Sequence, residues 1–187
     1  MPDSATILSN GLILLGSAIW VMLPAYLPNN FATLTGGGMP IDMRRTWSDG
    51  RRILGDGKTI RGFVGGVTAG ILIGLLQMYA EISGLVPWFP SHTLTAVILL
   101  AVGSLLGDLI KSFFKRRQGI ERGGEWFLVD QLDFVIGALL LTLLLDSAWV
   151  VQTITLPLLI TILILTPLLH RTVNIIGYKL GLKKVPW

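Results

Sequence analysis

The sequence contains no cysteine, and only 14% of its 187 residues are charged. The lack of cysteine excludes disulfide bonds, thiol catalysis and thiolate metal sites. A soluble domain usually has about 25% charged residues, so the low charge, together with 52% hydrophobic residues, indicates an integral membrane protein. The two histidines, His92 and His170, share no cluster, and we interpret them as residues of the membrane interface rather than as zinc ligands.

Five apolar runs are each long enough to cross a bilayer as a helix, which takes roughly 20 residues. The first run lacks a positive n-region and is too long for a cleavable signal peptide. The fourth and fifth are so close together that they resemble a tight helical hairpin. We therefore predict one all-α membrane domain over residues 1–187, with five transmembrane helices in the cell membrane. The predicted spans are residues 6–28, 63–86, 93–113, 128–147 and 151–169.

All 15 lysine and arginine residues lie at one end of the predicted spans. They fall in loop 29–62, at the end of the third span, in loop 114–127, and in the tail 170–187. Because basic residues favour the inner side of a membrane, the N-terminus is predicted outside and the C-terminus inside. With this orientation, loops 29–62 and 114–127 are predicted to be functional cytoplasmic loops. The tail mixes apolar and basic residues, which predicts a helix that lies in the membrane interface.

The densest group of charges lies between the third and fourth spans. On a helix, Asp108, Lys111 and Lys115 share one face, and Asp130 and Asp133 share a face at the start of the next span. The short loop between the spans lets the two faces meet. Three carboxylates placed together would repel each other, so we expect a divalent ion such as Mg²⁺ to bind all three.

Basic residues that suit phosphate oxygens surround these carboxylates. Acidic groups, a divalent ion and basic residues at a membrane surface together suggest phosphoryl or nucleotidyl transfer to a lipid head group, which needs no side-chain nucleophile. Simpler roles compete for individual residues: the basic ones as orientation signals, Asp108 as a partner of Lys111, and Asp130 with Asp133 as a helix cap. The candidate phosphate ligands in this region are Lys111, Ser112, Lys115, Arg116, Arg117 and Arg122.

The first loop is rich in glycine, which lets backbone N–H groups approach an anion closely. Glycines run from Gly36 to Gly38, and Gly55 and Gly57 precede Lys58. The P-loop spacing fails because Arg52 stands where that motif has its first glycine. A P-loop NTPase is thereby excluded, and Asn30 is a candidate for selecting the nucleotide base.

Two motifs resemble those of the CDP-diglyceride synthetases (phosphatidate cytidylyltransferases). The segment Ser112-Phe-Phe-Lys115-Arg116, then Gly123-Gly124 and Asp130-Gln-Leu-Asp133, resembles that family's S-x-x-K-R and D-R-x-D signature. The segment Lys58-Thr59-Ile60-Arg61-Gly62, followed by Gly65-Gly66, resembles its K-K-T-x-E-G segment. The small size and the D-Q-L-D-F variant are closer to the archaeal branch, the CDP-archaeol synthases.

The resemblance implies that CTP and an isoprenoid ether-lipid phosphate, 2,3-bis-O-(geranylgeranyl)-sn-glycerol 1-phosphate, give a CDP-lipid and pyrophosphate with Mg²⁺ as cofactor. By position, Asp130 and Asp133 would hold the metal, and Asp108, or as a second choice Glu121, would substitute for a further metal-binding aspartate of the family that this sequence lacks. Ser112, Lys115 and Arg116 would contact phosphates. Lys58, Thr59 and Arg61 would contribute to the nucleotide pocket.

The sequence also departs from the bacterial signature. Glu121-Arg122 replaces a Lys-Asp pair, which removes one expected metal ligand, and Gln131 replaces an arginine. The departures leave the number of metal ions open.

Two other functions fit parts of the sequence. A small membrane transporter would need polar residues through the bilayer centre, whereas the last two predicted spans are nearly all Leu, Ile, Val and Thr. A CDP-alcohol phosphatidyltransferase would need a D-G-x-x-A-R motif, but Asp56-Gly57 leads into Lys-Thr-Ile-Arg. We expect membrane lipids but no nucleic acid as partners, and leave a homodimer open.

Overall fold

The structure is a computed structural model that describes residues 4–121 and 124–181, with side chains from Leu8 onward. Its described residues form six α-helices joined by loops. The helices are α1 (Ser4–Thr35), α2 (Ile60–Ile82), α3 (Leu94–Arg117), α4 (Val129–Leu145), α5 (Ser147–Thr153) and α6 (Leu156–Lys179).

Four of these helices, α1, α2, α3 and α6, are long and apolar enough to cross a membrane. The pair of α4 and α5 also qualifies but is bent by 118°. The described part of the chain therefore has four or five candidate spans, which confirms the predicted all-α membrane class. The orientation of these helices in a membrane stays a prediction.

The end of the chain differs from the predicted spans. The residues after α4 do not continue straight into a fifth span, because Asp146 ends α4 and its Oδ1 accepts a hydrogen bond from the Trp149 backbone N–H at 3.3 Å. The indole of Trp149 is buried and donates to the Ser91 carbonyl at 3.0 Å, which holds α5 across the end of the bundle. The last long helix, α6, then begins at Leu156 and runs unbroken to Lys179, through residues predicted to form a separate tail helix.

Glycines bring α3 and α4 into direct backbone contact. A Cβ atom added at Gly103 would lie 2.8 Å from the Ala138 Cα atom, and one added at Gly137 would lie 2.6 Å from the Gly107 Cα atom. Such distances leave no room for a methyl group, so the two helices pack as closely as small-residue interfaces in membranes allow. This contact fixes the separation between the charged faces of α3 and α4.

Two prolines inside α1 couple it to α2. Pro24 has no N–H group, so the Trp20 carbonyl loses its partner within the helix. The buried side chain of Gln77 on α2 donates to that carbonyl at 2.7 Å. Gly70 faces the Pro24 carbonyl so closely that an added Cβ would lie 2.7 Å from the oxygen.

A carboxylate joins three segments at the far end of α2. Glu81 Oε1 accepts from the indole N–H of Trp20 at 2.9 Å and lies 2.7 Å from His92 Nδ1. Glu81 Oε2 accepts from the His92 backbone N–H at 2.9 Å. The side chains of Glu81 and His92 are only 7% and 0% exposed, so α1, α2 and the start of α3 share one buried polar contact.

We expect Glu81→Ala to destabilise the bundle by about 3 kcal/mol, because it leaves buried donors without an acceptor. Thermal unfolding of the purified protein in detergent would measure the loss. Ile82→Ala, at a neighbouring side chain that is 84% exposed, serves as the matched control. Equal stability of the two variants would show that the Glu81 contact contributes nothing.

Candidate active site

A buried aspartate organises the loop between α1 and α2. The Asp42 carboxylate accepts hydrogen bonds from Arg52 Nη2 at 2.7 Å and from the backbone N–H groups of Leu54 and Gly55, each at 3.0 Å. Burial alone would raise the pKa of the Asp42 carboxyl, but these bonds hold it well below its usual range. The loop is thus built around a permanently charged centre, a role that no sequence motif indicated.

The same loop is fastened to the C-terminal end of α3. Arg51 Nη1 donates to the Arg117 carbonyl at 2.7 Å, and Arg117 Nε lies 3.1 Å from Asp49 Oδ2. The Arg117 guanidinium stacks 4.8 Å above the Phe113 ring, which also packs edge-on against Trp47. The structure therefore places Arg117, a predicted phosphate ligand, in the contact that holds the loop on α3.

At the base of this loop, Lys58 enters a cluster of charges. Its ammonium group pairs with Asp108. The Lys111 Nζ atom lies 3.0 Å from Asp108 Oδ1, 3.4 Å from Asp130 Oδ1 and 2.8 Å from Asp133 Oδ2. The three predicted carboxylates therefore do converge, and a lysine ammonium lies between them.

A second lysine fixes the turn that leads into α4. Lys115 Nζ lies 2.9 Å from both carboxylate oxygens of Asp130 and donates to the Gly124 carbonyl at 2.6 Å. Asp130 Oδ2 also accepts from the Trp126 backbone N–H at 2.7 Å. Leu128, between them, has a left-handed backbone with φ of 63°, which is uncommon for a residue other than glycine. Lys115 thus holds the chain at the start of α4 against α3.

We refer to Lys58, Asp108, Lys111, Lys115, Asp130 and Asp133 as the charged cluster. Its formal charges cancel, because three ammonium groups face three carboxylates. Asp133 is only 9% exposed, and its Oδ2 atom forms an ion pair with Lys111 Nζ at 2.8 Å. Among residues 4–121 and 124–181, no three His, Asp or Glu side chains are arranged to hold a metal ion.

Two cavities lined in part by residues of the first loop reach the charged cluster. The first, which we call the glycine-lined cavity, has a volume of about 300 Å³ and is lined by Gly36, Gly37, Gly57, Lys58 and Asp108. The second, the basic cavity, has a volume of about 190 Å³. The basic side chains that line it are Lys58, Lys111, Lys115 and Arg116.

Two further spaces reach the cluster from the bundle. A cleft between α1 and α6, of about 360 Å³, joins Lys58, Lys111 and Asp130 to apolar residues that include Leu23 and Leu169. On the other side of α4, an apolar groove of similar volume includes Lys111 and Asp133. Its apolar residues include Ile110, Phe114, Leu132, Ile136 and Leu140.

The remaining predicted site residues have varied positions. Thr59 is the N-cap of α2, where its hydroxyl accepts from the Gly62 N–H at 3.1 Å. Ser112 donates to the Asp108 carbonyl at 2.8 Å, a bond within α3.

Arg116 lines the basic cavity and its Nε atom has no hydrogen-bond partner in the described residues. Exposed Asn30 lines the α1–α6 cleft, Arg61 is exposed at the start of α2, and Arg122 lies outside the described residues.

One wall of the cleft was not predicted as part of the site. It comes from α6, where Thr166, His170 and Asn174 line the same cleft as Lys58 and Asp130. His170 therefore belongs beside the charged cluster, rather than being only an interfacial residue. The available signal was the recurrence of polar side chains every four residues on an otherwise apolar helix.

Known proteins are similar in sequence to most of this chain. Residues 11–187 match the family described as "CarS-like: CDP-archaeol synthase". The CDP-archaeol synthase of Methanospirillum hungatei is 87% identical over 166 residues, which are 89% of this chain and all of that protein. The CDP-archaeol synthase of Methanoculleus marisnigri is 57% identical with the same coverage.

A solved structure described as "Structural insight into an intramembrane enzyme for archaeal membrane lipids biosynthesis" has a similar fold. It superimposes with a TM-score of 0.70 at 40% sequence identity, covering 84% of this chain and 92% of that one. The family match spans both charged motifs and all six helices except the start of α1. The chain therefore belongs to the CarS-like family of CDP-archaeol synthases.

Proposed function

We propose that this protein is a CTP-dependent cytidylyltransferase that converts an archaeal ether-lipid phosphate to a CDP-lipid in phospholipid biosynthesis. The observation that carries this is the charged cluster, where Lys58 from the first loop pairs with Asp108 on α3 and Lys111 on α3 pairs with Asp133 on α4. Cavities lined in part by basic side chains and glycines adjoin the cluster, as does a groove lined mainly by apolar side chains. An enzyme that joins a nucleotide to a lipid needs both. The names of the close relatives support the same activity.

In the reaction, a phosphate oxygen of the lipid attacks the α-phosphorus of CTP. A new P–O–P bond forms, the bond from the α-phosphorus to the oxygen that bridges it to the β-phosphorus breaks, and pyrophosphate leaves with that electron pair. The lipid phosphate is already anionic, so no side chain has to remove a proton. The protein's work is to hold two repelling anions in line.

The lysines of the charged cluster are suited to this work. Each ammonium is paired with a carboxylate, so phosphate oxygens can replace carboxylate oxygens as its partners, and the released carboxylates would then be available to a divalent cation. Arg116, whose Nε atom is unpartnered beside the basic cavity, adds a donor for the same anions. We place the CTP phosphates between this cavity and the glycine-lined cavity, where backbone N–H groups can approach closely.

Asp130 and Asp133, with Asp108, would hold Mg²⁺ when Lys111 turns from them to a phosphate. Carboxylate oxygens are the ligand type that Mg²⁺ prefers, and the buried Asp133 carboxylate would offer both of its oxygens to such an ion once Lys111 has turned away. When bound, Mg²⁺ supplies charge neutralisation of the phosphates and the departing pyrophosphate.

The lipid would reach the cluster through one of the two spaces with apolar walls, the α1–α6 cleft or the groove beside α4. Both adjoin lysines that can contact its phosphate. A transporter is disfavoured because the basic side chains gather at one end of the helices, and the opposite end has only the carboxylates Glu81 and Asp146 among the described residues from Leu8 onward.

We also propose that the charged cluster faces the cytoplasm, with the N-terminus outside. The support is the basic composition of the loop that contains Lys58 and of the end of α3, against the lack of basic residues between α2 and α3. The proposed substrate CTP is made in the cytoplasm, so a charged cluster that faces the cytoplasm would have access to it.

Replacing Asp133 by asparagine is expected to lower CDP-lipid formation by at least about 100-fold, because a carboxylate that opposes Lys111 and would bind Mg²⁺ is lost. The rate would be measured by incubating the purified variant with radiolabelled CTP, Mg²⁺ and the lipid phosphate. Both products, the CDP-lipid and pyrophosphate, would be detected. Unchanged size-exclusion behaviour and unfolding temperature would show that the variant is folded.

Glu121→Gln is the matched control, since it removes an exposed carboxylate from the neighbouring loop. We expect it to retain activity. If folded Asp133→Asn is as active as this control, the proposed role of the charged cluster is wrong.

The orientation can be tested with single cysteines, because the natural chain has none. Ser83 lies in the α2–α3 connection, Ser48 lies in the first loop, and both are exposed. The two variants to be compared are Ser83→Cys and Ser48→Cys. A membrane-impermeant maleimide should label Ser83→Cys in intact cells, but label Ser48→Cys only after the membrane is opened. The reverse pattern would place the charged cluster outside.

A further inference from the structure

The inner face of α6 carries an ordered set of polar side chains. Thr166, His170 and Asn174 are spaced four residues apart, so they lie along one side of the helix. Thr166 is 1% exposed and Asn174 is 3% exposed. Polar side chains buried within a membrane helix are costly and commonly mark a functional surface, so their presence calls for a specific role.

The lower part of this face is structural. Tyr26 Oη and Thr166 Oγ1 are 2.8 Å apart, and Thr166 also donates to the Ile162 carbonyl at 2.6 Å. These bonds tie α6 to α1 below the charged cluster. They fix the position of α6 along α1, and so the position of the next two turns of α6 in the cleft.

His170 and Asn174 have a different environment. The imidazole of His170 packs against the Phe134 ring on α4, with centroids 5.9 Å apart, and its Nδ1 atom lies 3.3 Å from Asn174 Nδ2. An imidazole and a side-chain amide can each donate an N–H hydrogen bond.

Both side chains line the α1–α6 cleft together with Lys58, Lys111 and Asp130. They also line an adjacent cavity of about 230 Å³ that shares Asp130. The pair thus lies in the same cleft as three residues of the charged cluster, on a helix that carries neither charged motif.

We propose that His170 and Asn174 bind the phosphate group of the lipid substrate and hold it against the lysines of the charged cluster. This inference rests on the proposed function. The choice of the lipid over CTP follows from the surroundings: the cleft continues between apolar residues of α1 and α6, such as Leu23 and Val173, whereas no α6 residue lines the glycine-lined cavity or the basic cavity. His170 and Asn174 are N–H donors, which a phosphate oxygen accepts.

Steady-state kinetics of His170→Ala and Asn174→Ala would test the proposal. Each lost hydrogen bond to a charged group should raise KM for the lipid phosphate about ten- to a hundred-fold. KM for CTP should change less than about twofold. His170→Gln, which restores an N–H donor, should recover part of the loss, which a purely structural role would not predict.

Thr172→Ala is the control, because Thr172 is on the exposed side of α6 and its hydroxyl bonds only within the helix. We expect it to have the kinetics of the natural protein. A rise in KM for CTP instead of the lipid, or no change in either KM, would overturn the proposal. Inactivity of the natural protein with CTP and lipid phosphate would instead overturn the proposed function.

A second measurement uses the natural protein and does not depend on a variant that folds. The chain has only two histidines, and the His92 side chain is 0% exposed, whereas His170 is partly exposed in the cleft. Diethyl pyrocarbonate should therefore modify His170 first, as read by mass spectrometry. The lipid phosphate should protect His170, and CTP alone should not; protection by CTP alone, or by neither, would contradict the proposal.

Discussion

The position of one ammonium group, that of Lys111 between three aspartates, is the constraint on which the rest of the site depends. The backbone contact of α3 with α4 brings Asp133 within 2.8 Å of it, and the loop after α1 adds Lys58 on the Asp108 side. Lys115 holds Asp130 in the same group. Each element of the bundle that is close to the site can be understood as maintaining these distances.

The balance of charge in this cluster has a chemical meaning. Buried charges are tolerated only when they are paired, and here every lysine of the cluster has a carboxylate partner. An anionic substrate cannot simply be added to such a site. It has to exchange with a carboxylate for a lysine, and this exchange makes binding depend on a group of residues rather than on one of them.

Helical spacing was sufficient to predict the meeting of Asp108, Lys111 and Lys115 with Asp130 and Asp133. It depends only on the periodicity of two helices and on the short loop between them, and the structure has both. The spacing could not predict that Lys111 would occupy the centre, because that depends on side-chain directions within a few ångströms. Nor could it predict that Arg117 would serve the loop, since Asp49 and Phe113 meet it only in three dimensions.

Larger differences arose near the end of the chain. Asp146 ends α4 and is the N-cap of the short helix α5, which hydropathy alone does not separate from the helix that follows. The helix α6 begins later and ends later than the predicted fifth span. His170 therefore lies within this helix and lines the cleft, whereas the sequence placed it at the membrane interface. The pairing of Asp42 with backbone N–H groups has no sequence pattern at all, because it is formed by loop residues that meet only after folding.

The close contact between α3 and α4 also affects how a survey of substitutions in this protein would be interpreted. Gly103, Gly107 and Gly137 have no side chain that could take part in the chemistry, yet a single methyl group at Gly103 or Gly137 would push apart the helices that carry the aspartates. Such substitutions would remove activity as completely as changes to the charged residues themselves. A map of inactivating positions would therefore outline a stripe of glycines deep in the bundle, and activity alone would not distinguish the chemistry from its support.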